Sequence, residues 1–590
     1  MRSPLLPSFL FLLFAPFLRA EPEFPLTADS QPQPNVPKGT MLKDSYTTKE
    51  GSVFPGTQRD YQLYLPAVFD KTQPAAFMVF QDGVIYQAPV VFDNLIAKKD
   101  IPPLVGIFIK PGVVPAANDN ALPRFNRSYE YDSITPTYSE FLLDEFLPAI
   151  EAKHGLKLST DPNHAAISGN SSGGICAFMA AWHRPDRFRR VFTGVGTYVG
   201  IHGADQLPVL VRKFEPKPLR VFLQSGTGDN NLYCGDWWMA NQMMERSLTW
   251  AGYDVNHAWG EGGHNAKHAS QIFPEVMRWL WRDWQTNIAI KANPKGESKW
   301  KGYEVVGGGE WKLMKGGIKR QMEPLPAGEM QFGLSSDKNG RVIFQDRGRG
   351  YFIALDGAVT DSQQTSQNLL EDMRKVAFGP NETMLISSSY MESDPFIAWL
   401  DQAGNTISME QRAVKDVLVN WQGIPFLISE EHIIWTKRNG EWEGVGLDVV
   451  FKAERMVLSP DQTHLFITSP ESRYIQAYQL TTDLSLRSKE QFGFLDSPPG
   501  QEDVSAGGLC VDTNGWLYVA TSLGIQVCDQ AGRVNFIIPT PKQPYDVCFG
   551  GKDLGELFIA CGDTIYKRPT KAKGVVSGQQ PPIKPAPPKL

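Results

Sequence analysis

The sequence predicts a multidomain protein in which an α/β fold with a doubly wound, mostly parallel sheet is followed by an all-β propeller of six blades. Three observations lead to this prediction. The 590 residues exceed what a single hydrophobic core usually supports. Up to about residue 286, strand-like and helix-like runs follow one another, which is typical of a parallel sheet. Beyond residue 304 the helical runs vanish, and turn signals separate short apolar strands at a near-constant interval.

The most informative feature of the α/β region is a turn rich in glycine and serine between a strand-like run and a helix-like run. Its residues are Gly169-Asn170-Ser171-Ser172-Gly173-Gly174. In a G-x-S-x-G turn, the small flanking residues permit a tight bend that pushes the serine oxygen outward at the N-terminal end of the helix. Such turns often need glycine and serine for their shape alone, so the pattern is weak without its context. Ser171 is therefore the first catalytic candidate.

A serine nucleophile needs a histidine that takes its proton and an acid that orients the histidine. In doubly wound hydrolases the three follow in the order Ser, acid, His. Asp229 follows the strand-like run 219–224, and His264 lies in the glycine-lined loop 260–265 after a later strand. We therefore predict Ser171, Asp229 and His264 as a catalytic triad. The competing histidines and acids are His257, His268, Glu261 and Asp236.

Acyl transfer also needs preorganised N–H donors for the negative oxygen of the tetrahedral intermediate. One predicted donor is the backbone N–H of Ser172. The second donor normally comes from the loop after an earlier strand, and the run 76–80 leads into Gln81-Asp82-Gly83-Val84. The N–H of Val84, or that of Gly83, is the candidate. Alternatively, Asp82-Gly83 is only a turn.

Residues from about 40 to 286 resemble the enterochelin-esterase and feruloyl-esterase branch of the serine α/β-hydrolases, also called the esterase D-like family. The resemblance rests on the segments 79–83, 124–132, 225–229 and 262–264 and on the turn around Ser171. It implies an α/β-hydrolase fold, the same triad, and Val84 as the second oxyanion donor. The chain departs from many relatives at Ser225, where they carry aspartate.

Further side chains are candidates for contact with the substrate. Arg124, Arg127 and Glu130 match a charged stretch that lies near the active-site mouth in relatives, although structural ion pairing is an equal alternative. Trp237, together with Tyr233 and Trp238, could provide an apolar wall for an aromatic acyl group or a sugar. Packing in the core is the alternative for these aromatic residues.

The first twenty residues predict a secreted or periplasmic protein. A single arginine precedes a short apolar core, and a plausible cleavage site follows Ala20, as in a signal peptide. An uncleaved membrane anchor is the alternative. A proline-rich spacer follows over residues 21–39. The net charge of −6 and the absence of a basic run argue against a nucleic-acid partner.

A polar linker over residues 287–303 predicts a domain boundary. From 304 to 570, turns such as Asp337-Lys338-Asn339-Gly340 and Asp512-Thr513-Asn514-Gly515 recur about every forty residues, which is the period of a propeller blade. Six such units predict six blades. The last residues, 571–590, are rich in proline and poor in apolar residues, so we expect a disordered tail there.

The second half resembles the gluconolactonase and senescence-marker-type propellers, most clearly in residues 508–520. Those proteins hold a divalent metal with a Glu, an Asn and an Asp. Here the Asn position falls on Glu454 and the Asp position on Gly507, so the resemblance implies a lost metal site. Nearby carboxylates, Glu502 and Asp503 among them, could rebuild one. The six cysteines show no paired spacing of the kind that zinc ligands have.

The function predicted from the sequence is hydrolysis of a carboxylic ester by a Ser-His-Asp mechanism in an exported protein, with no metal or organic cofactor. Feruloyl or acetyl esters of carbohydrate and siderophore-type esters are the candidate substrates, and the propeller is an accessory domain. Two alternatives stay open. The propeller could be a metal-dependent sugar lactonase, or the whole chain could be a non-catalytic binding protein.

Overall fold

The computed structural model describes residues 23–288, 298–318, 333–346, 349–361, 373–388, 394–446, 451–498 and 504–587. The chain forms two compact units. The first consists of Met1–Ala204, Leu219–Glu245 and Val255–Ile288, and the second of Asp205–Pro218, Arg246–Asp254 and Ala289–Leu590. The predicted signal peptide, residues 1–20, lies outside the described residues.

The first unit is built on a large twisted sheet. Its strands are β1 (Thr40–Thr47), β2 (Gln58–Leu65), β3 (Ala76–Gln81), β4 (Leu104–Ile109), β5 (Val113–Val114), β6 (Arg124–Phe125), β7 (Ala165–Asn170), β8 (Arg190–Gly194), β9 (Arg220–Gly228) and, after the hairpin β10 (Asn231–Leu232) and β11 (Gly235–Asp236), β12 (Asp254–Gly263). The order across the sheet is β12-β9-β8-β7-β3-β4-β2-β5-β6, with β1 paired to β2. Strands β4, β3, β7, β8 and β9 pair in parallel, which confirms the predicted mostly parallel sheet.

Helices connect these strands. They are α1 (Ala88–Ala97), α2 (Arg127–Tyr131), α3 (Thr137–Glu140), α4 (Leu147–His154), α5 (Ser172–His183), α6 (Leu207–Lys213), α7 (Trp237–Ala251) and α8 (Lys267–Trp281), with a π-helical turn over Phe141–Phe146 and short 3₁₀ turns over Ala28–Ser30, Pro162–His164 and Ala204–Gln206. Helix α6 belongs to the second unit. Within the described residues, no helix combines the length and hydrophobicity that a membrane crossing requires.

The central strands β3 and β4 are almost continuously apolar because they are buried on both faces. Every residue of β3, β4 and β8 is buried, as expected for inner strands of a parallel sheet that helices cover. One core cluster packs Phe80 and Phe192 of the sheet against Phe92 of α1 and Phe273 of α8. This rigid layer presents the carboxyl ends of β3, β7, β8 and β9 at one edge, where the site lies.

The described residues of the second unit form six four-stranded antiparallel sheets, which confirms the predicted six-bladed propeller. After a short helix α9 (Gly302–Val305) and strand β13 (Lys312–Lys315), five blades follow. The first blade consists of β14 (Ser335–Ser336), β15 (Val342–Asp346), β16 (Arg349–Ile353) and β17 (Val359–Asp361), and the second of β18 (Met373–Phe378), β19 (Met384–Ser388), β20 (Phe396–Leu400) and β21 (Thr406–Gln411). The third consists of β22 (Val414–Val419), β23 (Pro425–Ser429), β24 (Ile434–Arg438) and β25 (Glu441–Gly446), and the fourth of β26 (Arg455–Leu458), β27 (His464–Thr468), β28 (Tyr474–Leu480) and β29 (Leu486–Phe494). The fifth consists of β30 (Leu509–Val511), β31 (Leu517–Thr521), β32 (Gly524–Cys528) and β33 (Val534–Ile538).

The sixth blade closes the ring by combining both ends of the propeller sequence. It consists of β34 (Asp546–Gly550), β35 (Glu556–Cys561), β36 (Thr564–Pro569) and, as its outer strand, β13. Strand β13 pairs antiparallel with β36, with Lys312 opposite Lys567. Because a strand from before the first blade completes the last one, the ring cannot open without breaking this pairing.

The recurring turn signals have one physical basis. In the turn after β14, a carboxylate oxygen of Asp337 accepts the N–H groups of Asn339 and Arg341, each at 2.9 Å. Gly340 follows with φ +83°, a conformation that favours glycine. Asp512 makes the same bonds to Asn514 and Trp516, at 2.9 and 3.0 Å. The motif D-x-x-G therefore marks a hairpin turn, which is why the blade period is visible in the sequence.

Two segments from the sequence range predicted as the esterase domain belong to the second unit. Phe214 forms a parallel bridge with Ile537. Arg568, which is buried, donates two hydrogen bonds to the Glu215 carboxylate at 2.6 and 2.7 Å. A paired guanidinium and carboxylate of this geometry is specific as well as strong. The two units therefore do not coincide with the two predicted domains, which the linker at residues 287–303 separates.

The prediction of a disordered tail over residues 571–590 is wrong for its described part, which ends at 587. The backbone of this segment bonds to the propeller, for example from Val575 N–H to Val511 O at 3.1 Å and from Ile583 N–H to Pro460 O at 2.9 Å. Gln580 donates to the Trp421 carbonyl at 2.6 Å. Composition alone missed these bonds because an extended, proline-rich segment makes few internal hydrogen bonds and depends on partners far away in sequence.

Candidate active site

Ser171 sits in a strained turn that directs its side chain outward. Its backbone has φ 57° and ψ −122°, between β7 and α5. A Cβ on Gly169 would lie 2.2 Å from the Gly173 carbonyl oxygen, and a Cβ on Gly173 would lie 2.9 Å from Gln81 Cβ. Both glycines are therefore required by close approach. A backbone in this region costs about 1–3 kcal/mol and persists only where the surroundings enforce it.

Three side chains that are far apart in sequence meet at this turn. Ser171 Oγ lies 2.8 Å from His264 Nε2, and His264 Nδ1 lies 2.6 Å from Asp229 Oδ1. Each directly follows a strand of the sheet: Ser171 follows β7, Asp229 follows β9, which β8 separates from β7, and His264 follows β12, the neighbour of β9. The order of the parallel strands thus brings the three predicted residues into one chain of hydrogen bonds.

The Asp229 carboxylate is completely buried, with a side-chain exposure of 0%. A buried carboxylate is stable only if donors surround it. Its Oδ2 accepts the Ser225 hydroxyl at 2.6 Å, and its Oδ1 accepts the Asn230 N–H at 2.8 Å as well as the histidine. Ser225, the position at which the chain departs from many relatives, therefore supplies a neutral donor to the buried acid.

The competing histidines occupy other places. His257 stacks on Trp259, with ring centroids 4.6 Å apart. His268 is buried beside Gln224, 3.2 Å from its amide nitrogen, and burial lowers the pKa of its imidazole. The spare acid Asp236 accepts the N–H of Met239 at the start of α7. The described contacts of these side chains do not include Ser171. Among the candidate histidines, His264 is therefore the one that contacts the serine.

The loop after β3 provides the second oxyanion candidate. Asp82 has φ 66° and Gly83 has φ 92°. The Gly83 N–H donates to the Ile109 carbonyl at 3.1 Å, so it is already committed. Val84 follows, with 41% of its surface exposed. Of the two donors that the sequence left open, the geometry therefore favours the Val84 N–H, which would act with the Ser172 N–H at the start of α5.

Arg127 holds this loop in place. Its guanidinium makes two hydrogen bonds to the Asp82 carboxylate, from Nε at 2.7 Å and from Nη2 at 2.9 Å. Nη2 also lies 3.4 Å from the Asn170 carbonyl oxygen, next to the nucleophile candidate. One side chain thus connects the loop with the oxyanion candidate to the turn with Ser171. These bonds give Arg127 a structural role between the two turns, and its contact with substrate stays a prediction.

The other predicted substrate contacts are placed differently. Glu130 is 1% exposed and accepts two hydrogen bonds from the buried Arg59, at 2.9 and 3.1 Å. Glu130 thus forms the ion pair that the sequence left open as the alternative, and its contact with substrate stays a prediction. Trp237 is also buried, and its ring edge packs against His264 with centroids 5.5 Å apart. Arg124 is exposed and bonds to Asn126 at 3.2 Å, so its contact with substrate stays a prediction.

An apolar hairpin stands next to these residues. The β10–β11 hairpin is closed at its base by a 2.9 Å bond from the Trp237 N–H to the Asn230 carbonyl. Its tip exposes Leu232 and Tyr233, the latter 98% exposed. Asp229 directly precedes the hairpin region and Trp237 directly follows it, so both ends of the hairpin lie next to residues of the site. A side chain this exposed contributes nothing to the core, which removes the packing alternative for Tyr233.

The metal implied by the propeller resemblance does not fit the residues present. Glu454 pairs with Lys415 at 3.0 Å and lies 3.6 Å from Arg455, while Lys375 pairs with the buried Asp546 at 3.1 Å. Lysine ammonium groups thus take the oxygens that a divalent cation would need. The described part of the chain contains no cluster of three His, Cys, Asp or Glu side chains able to hold an ion, and the six cysteines are free. Glu502 and Asp503 lie outside the described residues.

One residue at the site was missed by the sequence analysis. Thr197, in the loop after β8, has its hydroxyl 3.3 Å from Ser171 Oγ. The available signal was its position: it follows a central parallel strand next to the strand of the nucleophile, at the edge of the sheet where sites are built.

Arg127→Met is expected to lower kcat for an ester substrate by about 10- to 100-fold with little change in the melting temperature, because misplacing an oxyanion donor by about 1 Å costs that much. Arg184→Met is the matched control, since Arg184 makes the same paired bonds to Asp186 at 2.9 and 2.8 Å at the far end of α5. Steady-state kinetics of both variants check this. Equal effects of the two substitutions would contradict a positioning role for Arg127.

Comparison with known proteins separates the same two regions. Residues 52–265 match the family described as "Putative esterase", and residues 454–562 match the "SMP-30/Gluconolactonase/LRE-like region". A curated relative, the iron(III) enterobactin esterase of Dickeya dadantii (strain 3937), is 27% identical over 245 residues, which is 38% of this chain and 52% of the relative. The chain therefore spans about half the length of that relative.

Two solved structures are also similar to parts of the chain. A gluconolactonase from Xanthomonas campestris is 18% identical with a TM-score of 0.37, covering 45% of this chain and 92% of its own. The enterobactin esterase from Shigella flexneri is 19% identical with a TM-score of 0.33, covering 43% of this chain and 63% of its own. Two separate parts of the chain thus match family models, an esterase model over residues 52–265 and a gluconolactonase-like model over residues 454–562.

Proposed function

We propose that the first unit hydrolyses carboxylic esters through an acyl-enzyme formed on Ser171. The observation that carries this proposal is the chain of hydrogen bonds from Ser171 through His264 to Asp229, at 2.8 and 2.6 Å, on a strained turn at the start of a helix. A histidine held between a serine hydroxyl and a buried carboxylate is the arrangement that activates a serine nucleophile. The match to the esterase family supports the same reading.

In the acylation step, Ser171 Oγ attacks the ester carbonyl carbon while its proton passes to His264 Nε2. Asp229 orients the imidazole and stabilises its positive charge without taking the proton. The carbonyl oxygen becomes negative and is met by the N–H groups of Ser172 and Val84. When the tetrahedral intermediate collapses, the bond to the alcohol oxygen breaks and His264 returns the proton to the leaving alcohol.

Deacylation repeats these steps with water. His264 Nε2 takes a proton from water, whose oxygen attacks the acyl carbon, and the intermediate forms against the same two N–H groups. Collapse releases the acid, and Ser171 Oγ recovers its proton from the imidazole. Over the cycle one ester and one water are consumed, one alcohol and one acid are released, and Ser171 and His264 return to their starting protonation states.

The proposed substrates are small esters with an aromatic or acetyl acyl group, either siderophore-type or attached to carbohydrate. The name of the Dickeya relative supports the first class. The exposed Leu232 and Tyr233 on the hairpin beside Asp229 support an apolar substituent. Export through the first twenty residues and an accessory role of the propeller remain part of the proposal.

We expect hydrolysis to be unaffected by an excess of a divalent-metal chelator. The carboxylates of Glu454 and Asp546 are paired with Lys415 and Lys375, and the proposed chemistry uses no metal. Activity toward a sugar lactone that disappears with chelator and returns with added Ca²⁺ or Zn²⁺ would favour the alternative of a lactonase in the propeller instead. The measurement is the hydrolysis rate of each substrate with and without chelator.

The direct test is a panel of chromogenic esters, with acetyl, butyryl, feruloyl and dihydroxybenzoyl groups, assayed with the purified protein. Turnover of at least one ester, with a preference for an aromatic acyl group, is the expected result. Val84→Pro, which removes the second N–H donor, serves as a companion variant and should lower kcat by about 100-fold. Lack of turnover on every ester would favour the non-catalytic alternative.

A further inference from the structure

The hydroxyl of Thr197 touches the atom proposed to attack the substrate. Thr197 is 1% exposed, and its Oγ1 lies 3.3 Å from Ser171 Oγ and 3.2 Å from Trp237 Nε1. Its backbone N–H also donates to the Ser171 carbonyl at 3.2 Å. The side chain and main chain of one residue therefore both contact the nucleophile.

The chemistry of the three groups determines which way the protons point. An indole N–H can only donate, so Thr197 Oγ1 is the acceptor of the bond from Trp237. The threonine proton is then available for Ser171 Oγ, which itself donates its proton to His264 Nε2. The hydrogen bonds run in one direction, from Trp237 to Thr197 to Ser171 to His264, and bonds aligned in this way strengthen one another.

We propose that Thr197 is a further catalytic residue that donates a hydrogen bond to Ser171 Oγ, and that Trp237 is a positioning residue that orients the threonine hydroxyl. The inference rests on the proposed ester hydrolysis at Ser171. Thr197 keeps its proton throughout, while the serine proton moves to His264. The bond from Thr197 strengthens as negative charge develops on Oγ, both when Oγ attacks and when it leaves the acyl-enzyme.

The residues around Thr197 and Trp237 hold both side chains in place beside His264. The Trp237 ring packs edge-on against His264, at an interplanar angle of 77°. Asn241, on the next turn of α7, donates to the carbonyls of Gly196 and Trp237, each at 2.9 Å. The loop after β8 is thereby attached to the start of α7. Trp237 contacts the nucleophile through Thr197 and the base through its ring, so it couples the positions of both.

The test uses variants that remove single protons and preserve shape. Thr197→Val replaces the hydroxyl by a methyl group, and Thr197→Ser keeps the hydroxyl. Trp237→Phe keeps a ring against His264 but removes the N–H. For each variant we would measure kcat and KM on the best ester, the rate at which a fluorophosphonate labels Ser171, and the melting temperature.

Loss of one neutral hydrogen bond to the nucleophile should lower both kcat and the labelling rate by about tenfold in Thr197→Val, with KM unchanged. Thr197→Ser should retain at least about a third of the wild-type kcat. Trp237→Phe should lower kcat about threefold to tenfold. The double variant Thr197→Val, Trp237→Phe should be no slower than Thr197→Val alone, because the indole acts through the threonine hydroxyl.

Wild-type kcat and labelling in Thr197→Val would overturn the inference, as would additive effects in the double variant. If Thr197→Val does not fold, Thr197→Cys decides in the same way, since a thiol is a weak donor of similar size. The two proposals fail differently. A wild-type protein that neither turns over an ester nor labels at Ser171 overturns the proposed function together with this inference, whereas an active wild type with an unimpaired Thr197→Val overturns the inference alone.

Discussion

Ser171→Ala is expected to lower kcat/KM for the best ester by about 10⁴-fold or more, because the acyl-enzyme cannot form without its oxygen. The residual rate would come from the oxyanion donors and from binding, which the substitution leaves in place. The variant should fold, since alanine fills no more space than serine. The measurement is the steady-state rate with both proteins at matched concentration.

The control for this prediction is Ser45→Ala, a change at an exposed serine on β1 that should leave the rate within twofold of wild type. Ester turnover that survives in Ser171→Ala would contradict the account. If that surviving turnover were also lost with chelator, the activity would belong to a metal centre, for which the propeller is the candidate.

Asp229→Asn is the second change with a large expected effect, a fall in kcat of about 10³- to 10⁴-fold at neutral pH. The buried carboxylate accepts the His264 Nδ1–H at 2.6 Å, which leaves Nε2 free to accept the proton from Ser171. An amide that donates to Nδ1 would favour the wrong tautomer. Ser225, whose hydroxyl now donates to Asp229, would have to reorient.

The matched control for this second change is Asp236→Asn, which alters an acid of the same region that only caps α7 through the Met239 N–H. It should lower the melting temperature slightly and leave kcat within about twofold of wild type. The pH dependence of kcat for both variants completes the test. An Asp229→Asn variant that is as active as Asp236→Asn at every pH would show that Asp229 does not orient the histidine.

The fold could be predicted because its sequence signals are local. The inner strands β3 and β4 are almost continuously apolar since helices cover both faces of the sheet. The blade period is visible because the turns at Asp337 and Asp512 share one hydrogen-bonding motif with a glycine in the left-handed region. Neither signal depends on residues that are distant in the chain.

The residues of the proposed triad could also be predicted from the sequence. Parallel strands place their carboxyl ends at one edge of the sheet, and Ser171, Asp229 and His264 follow three strands in the chain order that serine α/β-hydrolases use. The structure brings these three together. Nothing in the local sequence distinguishes Glu130 from Arg127. Glu130 pairs with a buried arginine 71 positions away, whereas Arg127 bonds to the loop that carries the oxyanion candidate. Burial and pairing of charges are properties of the packed molecule.

The same reason explains the other differences. Thr197 is an unremarkable threonine in the sequence, and its role depends on Trp237, which is 40 positions away and reaches it only after α7 has packed. The segment 571–587 reads as disordered because its partners, such as Pro460 and Trp421, lie on other blades. Long-range contacts of this kind leave no periodic or compositional signal.

Mass spectrometry of the intact protein after reaction with a fluorophosphonate ester, followed by peptide mapping, shows directly whether Ser171 is the nucleophile. We expect one adduct per chain, located on Ser171, in the wild type, and none in Ser171→Ala. Labelling should stop when a good ester substrate is present in excess. Ester turnover by a wild-type protein that carries no adduct at Ser171, or an adduct at another serine, would contradict the account.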